Sequence, residues 1–151
     1  MKAKNYFTAA LVAALVLLSP SVSAQYDKPI TREQLPEKAQ KFLSTYFADK
    51  QIAGVIQDDD LIFPDYDVYF NEGIEVSFHN DGDWDNVDGN RRAIPTGFIL
   101  PAIVTHVTTT YPGVHITEID KDFRKFDVTL SNGMELIFNR KGAILGIDYD
   151  D

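Results

Sequence analysis

One stretch of this chain repeats another. Residues 67–88 read DVYFNEGIEVSFHNDGDWDNVD and align without a gap on residues 127–148, DVTLSNGMELIFNRKGAILGID, at an offset of 60. Seven pairs are identical: Asp67/Asp127, Val68/Val128, Gly73/Gly133, Glu75/Glu135, Phe78/Phe138, Gly82/Gly142 and Asp88/Asp148. Average residue usage gives about one identity in such a window. Upstream, Leu35-Pro36 matches Leu100-Pro101 and Tyr46 matches Tyr111 at an offset of 65. The first copy therefore carries about five extra residues, placed around Asp58 to Pro64. A repeat of this kind means one supersecondary unit used twice.

Each unit starts with a helix. Leu35, Ala39, Phe42, Leu43, Tyr46 and Phe47 recur at helical spacing. Thr31-x-x-Gln34 has the form of a capping box, and Pro36 suits a first helical turn. The counterpart runs from Pro101 to Tyr111 with Ile103, Val104, Val107 and Tyr111 on one face, and Pro112-Gly113 stops it. Four threonines in that helix are weak helix formers, so it needs support from packing.

The helix is followed by alternating segments. Tyr66, Val68 and Phe70 alternate with Asp67 and Tyr69; Ile74, Val76 and Phe78 alternate with Glu75 and Ser77. In the second unit Phe126, Val128 and Leu130 alternate with Asp127 and Thr129, and Met134, Leu136 and Phe138 with Glu135 and Ile137. This is the pattern of antiparallel strands with one face buried and one face wet. Asp81-Gly82 and Asn132-Gly133 are hairpin turn pairs, with Glu72-Gly73 and Lys141-Gly142 in equivalent positions. The fold class that follows is α+β: two tandem α-β-β-β-β repeats, about 28–90 and 93–151, forming an eight-stranded antiparallel sheet with both helices on one face.

The repeat leaves residues 1–24 unaccounted for. Lys2 and Lys4 precede an apolar run from Phe7 to Leu18, then a small-residue stretch ending Val22-Ser23-Ala24. That is the form of a secretory signal peptide cut before Gln25, and the apolar run is too short to span a bilayer. The expected location is periplasmic or secreted. The single domain is then residues 25–151. The chain has no Cys, so neither a lipidated cysteine nor a disulfide is available. Formal net charge is −9, and loss of Lys2 and Lys4 takes it to −11. Such a surface repels phosphate backbones and argues against a nucleic-acid partner.

Chemistry-bearing motifs are scarce. Asp81, Asp83 and Asp85 have the first, third and fifth positions of a calcium loop, but Asn86 stands where that loop needs Gly and Arg92 where it needs Glu. His79, His106 and His115 are scattered, with no paired metal spacing. No nucleophile elbow or Gly-rich phosphate loop is present. The acids at equivalent repeat positions argue for a surface role, because a catalytic site is one asymmetric constellation. No catalytic residue, metal or cofactor is therefore expected. Tyr69 is expected on the wet face among acids, the composition of a binding surface. The candidate partner-binding residues are Asp67, Tyr69, Glu75, Trp84, Asp85 and Glu135, for a protein or peptide partner. Trp84 aligns with Ile144, which is also a core position in that pattern. The alternative is a small-ligand or cation-binding protein using acids around Asp81 to Asp88.

These features together resemble the bacterial PepSY-like family, also described as beta-lactamase-inhibitor-protein-like. The resemblance rests on the export signal, Leu35-Pro36 and Leu100-Pro101, Tyr111-Pro112-Gly113, the two strand–turn–strand segments and Gly82 to Asp88 (GDWDNVD). It implies a tandem α+β repeat with a curved antiparallel sheet. It also implies non-catalytic binding through an exposed sheet face, an analogy at the level of the fold.

Overall fold

The computed structural model describes residues 27–149; the expected signal peptide lies outside them. The sheet begins with a short strand, β1 (Lys28–Ile30), then a 3-10 turn (Arg32–Gln34) and helix α1 (Glu37–Tyr46). Four strands follow: β2 (Ile52–Gln57), β3 (Tyr66–Phe70), β4 (Glu75–Phe78) and β5 (Trp84–Asp88). Helix α2 (Pro101–Thr110) opens the second half, followed by β6 (Ile116–Lys121), β7 (Lys125–Leu130), β8 (Met134–Asn139) and β9 (Ile144–Tyr149). The described strands form one antiparallel sheet in sequence order, β1 to β9.

The sheet is nine-stranded rather than eight-stranded. The additional strand, Lys28-Pro29-Ile30, pairs with β2 through Lys28↔Gln57 and Ile30↔Val55. Its three residues are too few to show alternation, and Pro29 reads as a breaker although proline is tolerated on an edge strand. The capping box also has a different place. The Thr31 amide donates to Gln34 Oε1 at 2.8 Å, which closes the 3-10 turn, while Pro36 caps α1.

Strand registers in the two halves coincide. Val68↔Val76 and Tyr66↔Phe78 in the first half correspond to Val128↔Leu136 and Phe126↔Phe138 in the second. Both halves shift register at two equivalent places, between Ile52/Gly54 and Ser77/Phe78 in the first and between Ile116/Glu118 and Ile137/Phe138 in the second. The helices correspond at an offset of 64 rather than 65. Buried Ala39 and Leu43 match buried Ile103 and Val107, because Pro36 precedes α1 whereas Pro101 is inside α2. Gln57↔Tyr66 and Lys121↔Phe126 are the last pairs before each connection. Residues 58–65 thus stand against 122–125, an insertion of four residues rather than five.

The core is one cluster. It holds Leu35, Ala39, Leu43 and Phe47 from around α1, Ile103 and Val107 from α2, and the inward side chains of both sets of strands. Phe42 meets the edge of Phe78 at 5.6 Å between ring centroids, and His106, its equivalent, meets Phe138 at 5.4 Å. The hairpin glycines Gly82 and Gly142 adopt φ of +80° and +82°. A side chain on Gly82 would lie 2.8 Å from Pro36 Cβ, and one on Gly142 would lie 2.8 Å from Ala102 Cβ. Each hairpin therefore touches the start of its helix.

Candidate functional site

The polar positions of the strands fall into two rows across the sheet. One row runs Tyr69, Glu75, Asp88, Glu118, Thr129, Glu135 and Asp148, each directly opposite the next. The other runs Asp67, Ser77, Asn86, Asp120, Asp127 and Ile137. Neighbouring strands lie about 4.8 Å apart, so opposed side chains are in reach of one another. Glu75 faces Asp88, Asp88 faces Glu118, Asp120 faces Asp127, and Glu135 faces Asp148. Like charges set directly opposite destabilise a sheet.

Local hydrogen bonds hold several of these groups. Ser77 Oγ donates to Asp67 Oδ1 at 2.7 Å. Asn86 Nδ2 donates to Glu118 Oε1 at 3.2 Å. Lys125 Nζ lies 2.7 Å from Asp127 Oδ2 and brings a positive charge to the second row. Burial pushes the Glu75 carboxyl above its ordinary value, and the charges of Asp67 and Asp88 push the same way, against a hydrogen bond with Tyr69. The Tyr69 phenol is raised by burial and by Asp67 and Glu75. The electrostatic field on this face therefore favours added positive charge, whether a proton or a cationic group.

Of the residues expected at the site, Asp67, Tyr69, Glu75 and Glu135 lie on this face, and Tyr69 is 38 % exposed at one end of its row. Asp85 is set apart by the register shift between β4 and β5, its carboxylate 3.5 Å from His79 Nε2. Burial raises its pKa, His79 opposes that, and Asp120 and Asp65 add to it. Trp84 is a correction. It is 9 % exposed and enclosed by Phe42, Phe98 and Phe126, so it belongs to the core and offers a partner nothing. Large flat rings bury where other rings surround them.

Asp88, Glu118, Asp120, Asp127 and Asp148 complete the face; none was a candidate partner-binding residue, and Asp88 figured only in the alternative of a cation site at Asp81 to Asp88. The signal for Glu118 and Asp120 was the alternation of ITEIDK; the signal for Asp88, Asp127 and Asp148 was their place in the repeat. Their convergence depends on β5 pairing with β6, which joins residues on either side of α2.

The calcium-like segment is dispersed among other partners. Asp81 Oδ1 accepts the Asp83 amide at 2.8 Å, as in an ordinary turn. Asp83 is bound by Lys121 at 2.8 Å and by Lys38 at 3.1 Å. Burial alone would raise the Asp83 carboxyl, but those two lysines outweigh it and hold it below its usual value. Among the described residues no group of three or more His, Asp and Glu side chains is gathered to hold a metal ion. The inserted Leu61-Ile62-Phe63 stands out from the sheet, exposed, on a turn in which Asp60 Oδ1 accepts the Ile62 and Phe63 amides. Among the described residues no helix is long and apolar enough to cross a membrane.

The comparisons agree with this architecture. Residues 64–146 match the PepSY-like family, described as a proposed beta-lactamase-inhibitor-like family. A proposed calcium-regulated periplasmic protein of Bacteroides thetaiotaomicron is 36 % identical with a TM-score of 0.77, over 81 % of this chain and 96 % of that one. A proposed periplasmic protein of Bacteroides vulgatus is 35 % identical with a TM-score of 0.77, over 83 % and 98 %. A second one from Bacteroides vulgatus, of unknown function, is 27 % identical with a TM-score of 0.75, over 82 % and 99 %. No curated protein matches the chain. The family match spans more than half of the sequence, and the relatives are covered almost end to end: the chain belongs to the PepSY-like family.

Proposed function

We propose that this chain is an exported, non-catalytic binding protein whose acidic sheet face receives a cationic protein or peptide partner. The observation that carries the reading is the set of four directly opposed acid pairs on that face. A sheet built for stability alone avoids such pairs, and local rules are broken where function requires it. The tandem repeat supports it, since two α-β-β-β-β units with both helices on one side leave the other side of the sheet for a partner. Export is supported by the amino-terminal pattern and by the periplasmic relatives. The family's inhibitor-like description supports a role without catalysis.

Calorimetry with a lysine-rich peptide tests the reading. Binding is expected at low salt, and Glu75→Gln combined with Glu118→Gln and Asp120→Asn is expected to remove most of it. No heat with the wild type, or equal binding by the triple variant, overturns the proposal.

A second reading has one specific support: a relative of 36 % identity is described as calcium-regulated. In that case calcium chloride alone gives a saturable isotherm that the triple variant loses, and the peptide gives none.

A further inference from the structure

The two halves of the sheet show what covers a strand of this kind. β5 and β9 are equivalent: Phe78↔Trp84, Val76↔Val87 and Glu75↔Asp88 correspond to Phe138↔Ile144, Leu136↔Ile147 and Glu135↔Asp148. Their burial is not equivalent. Trp84 and Val87 are 9 % and 0 % exposed, whereas Ile144 and Ile147 are 39 % and 47 % exposed, and Leu145 is 62 % exposed. Trp84 is covered by Phe42, Phe98 and Phe126, and Val87 by a neighbouring strand. β6 pairs with the outer edge of β5 through Val87↔Ile119 and Asp88↔Glu118. Among the described residues β9 is the last strand, and nothing pairs with its outer edge.

The opposite edge is guarded. β1 contains Lys28 and Pro29, a charge and a residue without an amide proton, both of which deter strand addition. β9 contains no proline and no basic residue. An open apolar edge of this kind is a template for an added strand.

Charge selects the occupant. On the side shared with the acid rows, β9 contributes Asp148 beside Glu135. On the other side it offers Ile144 and Ile147 beside Phe138 and Leu136. A second copy of this chain, at formal net charge −9 over the full sequence, would set acids against acids. We infer that the β9 edge takes an extended partner segment with alternating basic and apolar side chains, added as a tenth strand with its basic residues toward the acidic face. The inference rests on that face being the partner-binding surface and specifies how the partner is held.

An eight-residue peptide alternating valine and lysine is the probe, read by fluorescence anisotropy and by amide chemical shifts of the full mature chain. Binding is expected to move the amides of residues 144–149. Leu145→Ser and Ile147→Thr, each checked for an unchanged fold by circular dichroism, are expected to weaken it about tenfold together. A peptide of the same sequence with every backbone amide N-methylated keeps its charge but has no amide proton to donate on either edge, and is expected not to bind. The inference is overturned if the methylated peptide binds as well as the parent, if the shifts fall around Glu75 and Glu118 with β9 silent, or if the parent peptide does not bind. It is also overturned if sedimentation shows a dimer that the β9 substitutions dissolve. The first two outcomes leave the acidic face standing as a binding surface. Unchanged binding in a Glu135→Gln and Asp148→Asn variant, the acids nearest the added strand, instead removes the face reading itself.

Discussion

Lys121 Nζ lies 2.8 Å from Asp83 Oδ2 and 4.3 Å above the ring of Trp84. The lysine comes from β6 and the aspartate from the turn before β5, so this pair ties the two halves together, with Lys38 of α1 as a third member. The Lys121 side chain is 10 % exposed. Its aliphatic stem is therefore part of the packing, and its charge is spent on Asp83 and the ring face.

Removing this charge has a measurable effect. Lys121→Met keeps the stem and is expected to lower stability by about 1–2 kcal/mol in urea unfolding, the range of a hydrogen bond to a charged group at a partly exposed acid. The pH dependence has a definite sign. The folded Asp83 carboxyl is held below its ordinary 3.8, so its stabilisation is present above that value and disappears as pH falls through the lower folded value. Asp83→Asn should therefore be destabilising at neutral pH, and the gap to wild type should close in strong acid. An unchanged gap at low pH would contradict the pairing.

Glu75 behaves in the opposite sense. Its folded carboxyl is raised above the ordinary 4.5 by burial and by Asp67 and Asp88. At neutral pH it is charged in both states, and the native state bears the strain. As pH falls through the raised folded value toward 4.5, proton uptake by the native state relieves it. Glu75→Gln is expected to stabilise the protein by about 0.5 kcal/mol at neutral pH, the scale of a like-charge cross-strand pair. The benefit should shrink on acidification. Thermal melts at several pH values check this, and a destabilised variant at neutral pH would contradict it.

The hairpin glycines separate backbone strain from packing. Gly82 and Gly133 both have positive φ, +80° and +85°, but only Gly82 has a helix against it. Gly133→Ala is expected to cost about 1 kcal/mol from the left-handed conformation alone. Gly82→Ala must also displace Pro36 and the backbone of Ala39, and is expected to cost at least about 2 kcal/mol more, on the scale of overpacking. Equal losses in denaturant unfolding would show that the hairpin does not brace α1.

The acid rows make a salt prediction. Wild-type stability should rise with moderate sodium chloride, because screening weakens the opposed pairs over distances of about 10 Å. The Glu75, Glu118 and Asp120 triple variant should show a smaller rise. Equal salt slopes would mean that the acids on this face do not repel each other measurably.

Much of this was legible in the chain. Alternation around Val68, Val76, Val128 and Leu136 gave the strands, and the repeat gave their order. What could not be read was whatever depends on residues far apart in sequence. The repeat alignment of Trp84 with Ile144 pointed to the core, but the rings of Phe42, Phe98 and Phe126 that close around it come from separate elements and could not be read locally. Asp85 falls outside both rows because the register shift skips it. Glu118 and Asp120 join the face only through the β5–β6 pairing. The strand at Lys28–Ile30 was hidden by its length and by Pro29.

The placement of Trp84 has a further consequence. It is the single tryptophan of the chain, and it packs on Phe42 of α1, Phe98 of the connection and Phe126 of β7. Its emission therefore reads the seam between the halves, where neither can loosen without exposing the other. A duplicated protein is often two folding events in one chain; here one fluorophore should record a single cooperative loss of structure, superimposable on the far-ultraviolet signal of the sheet.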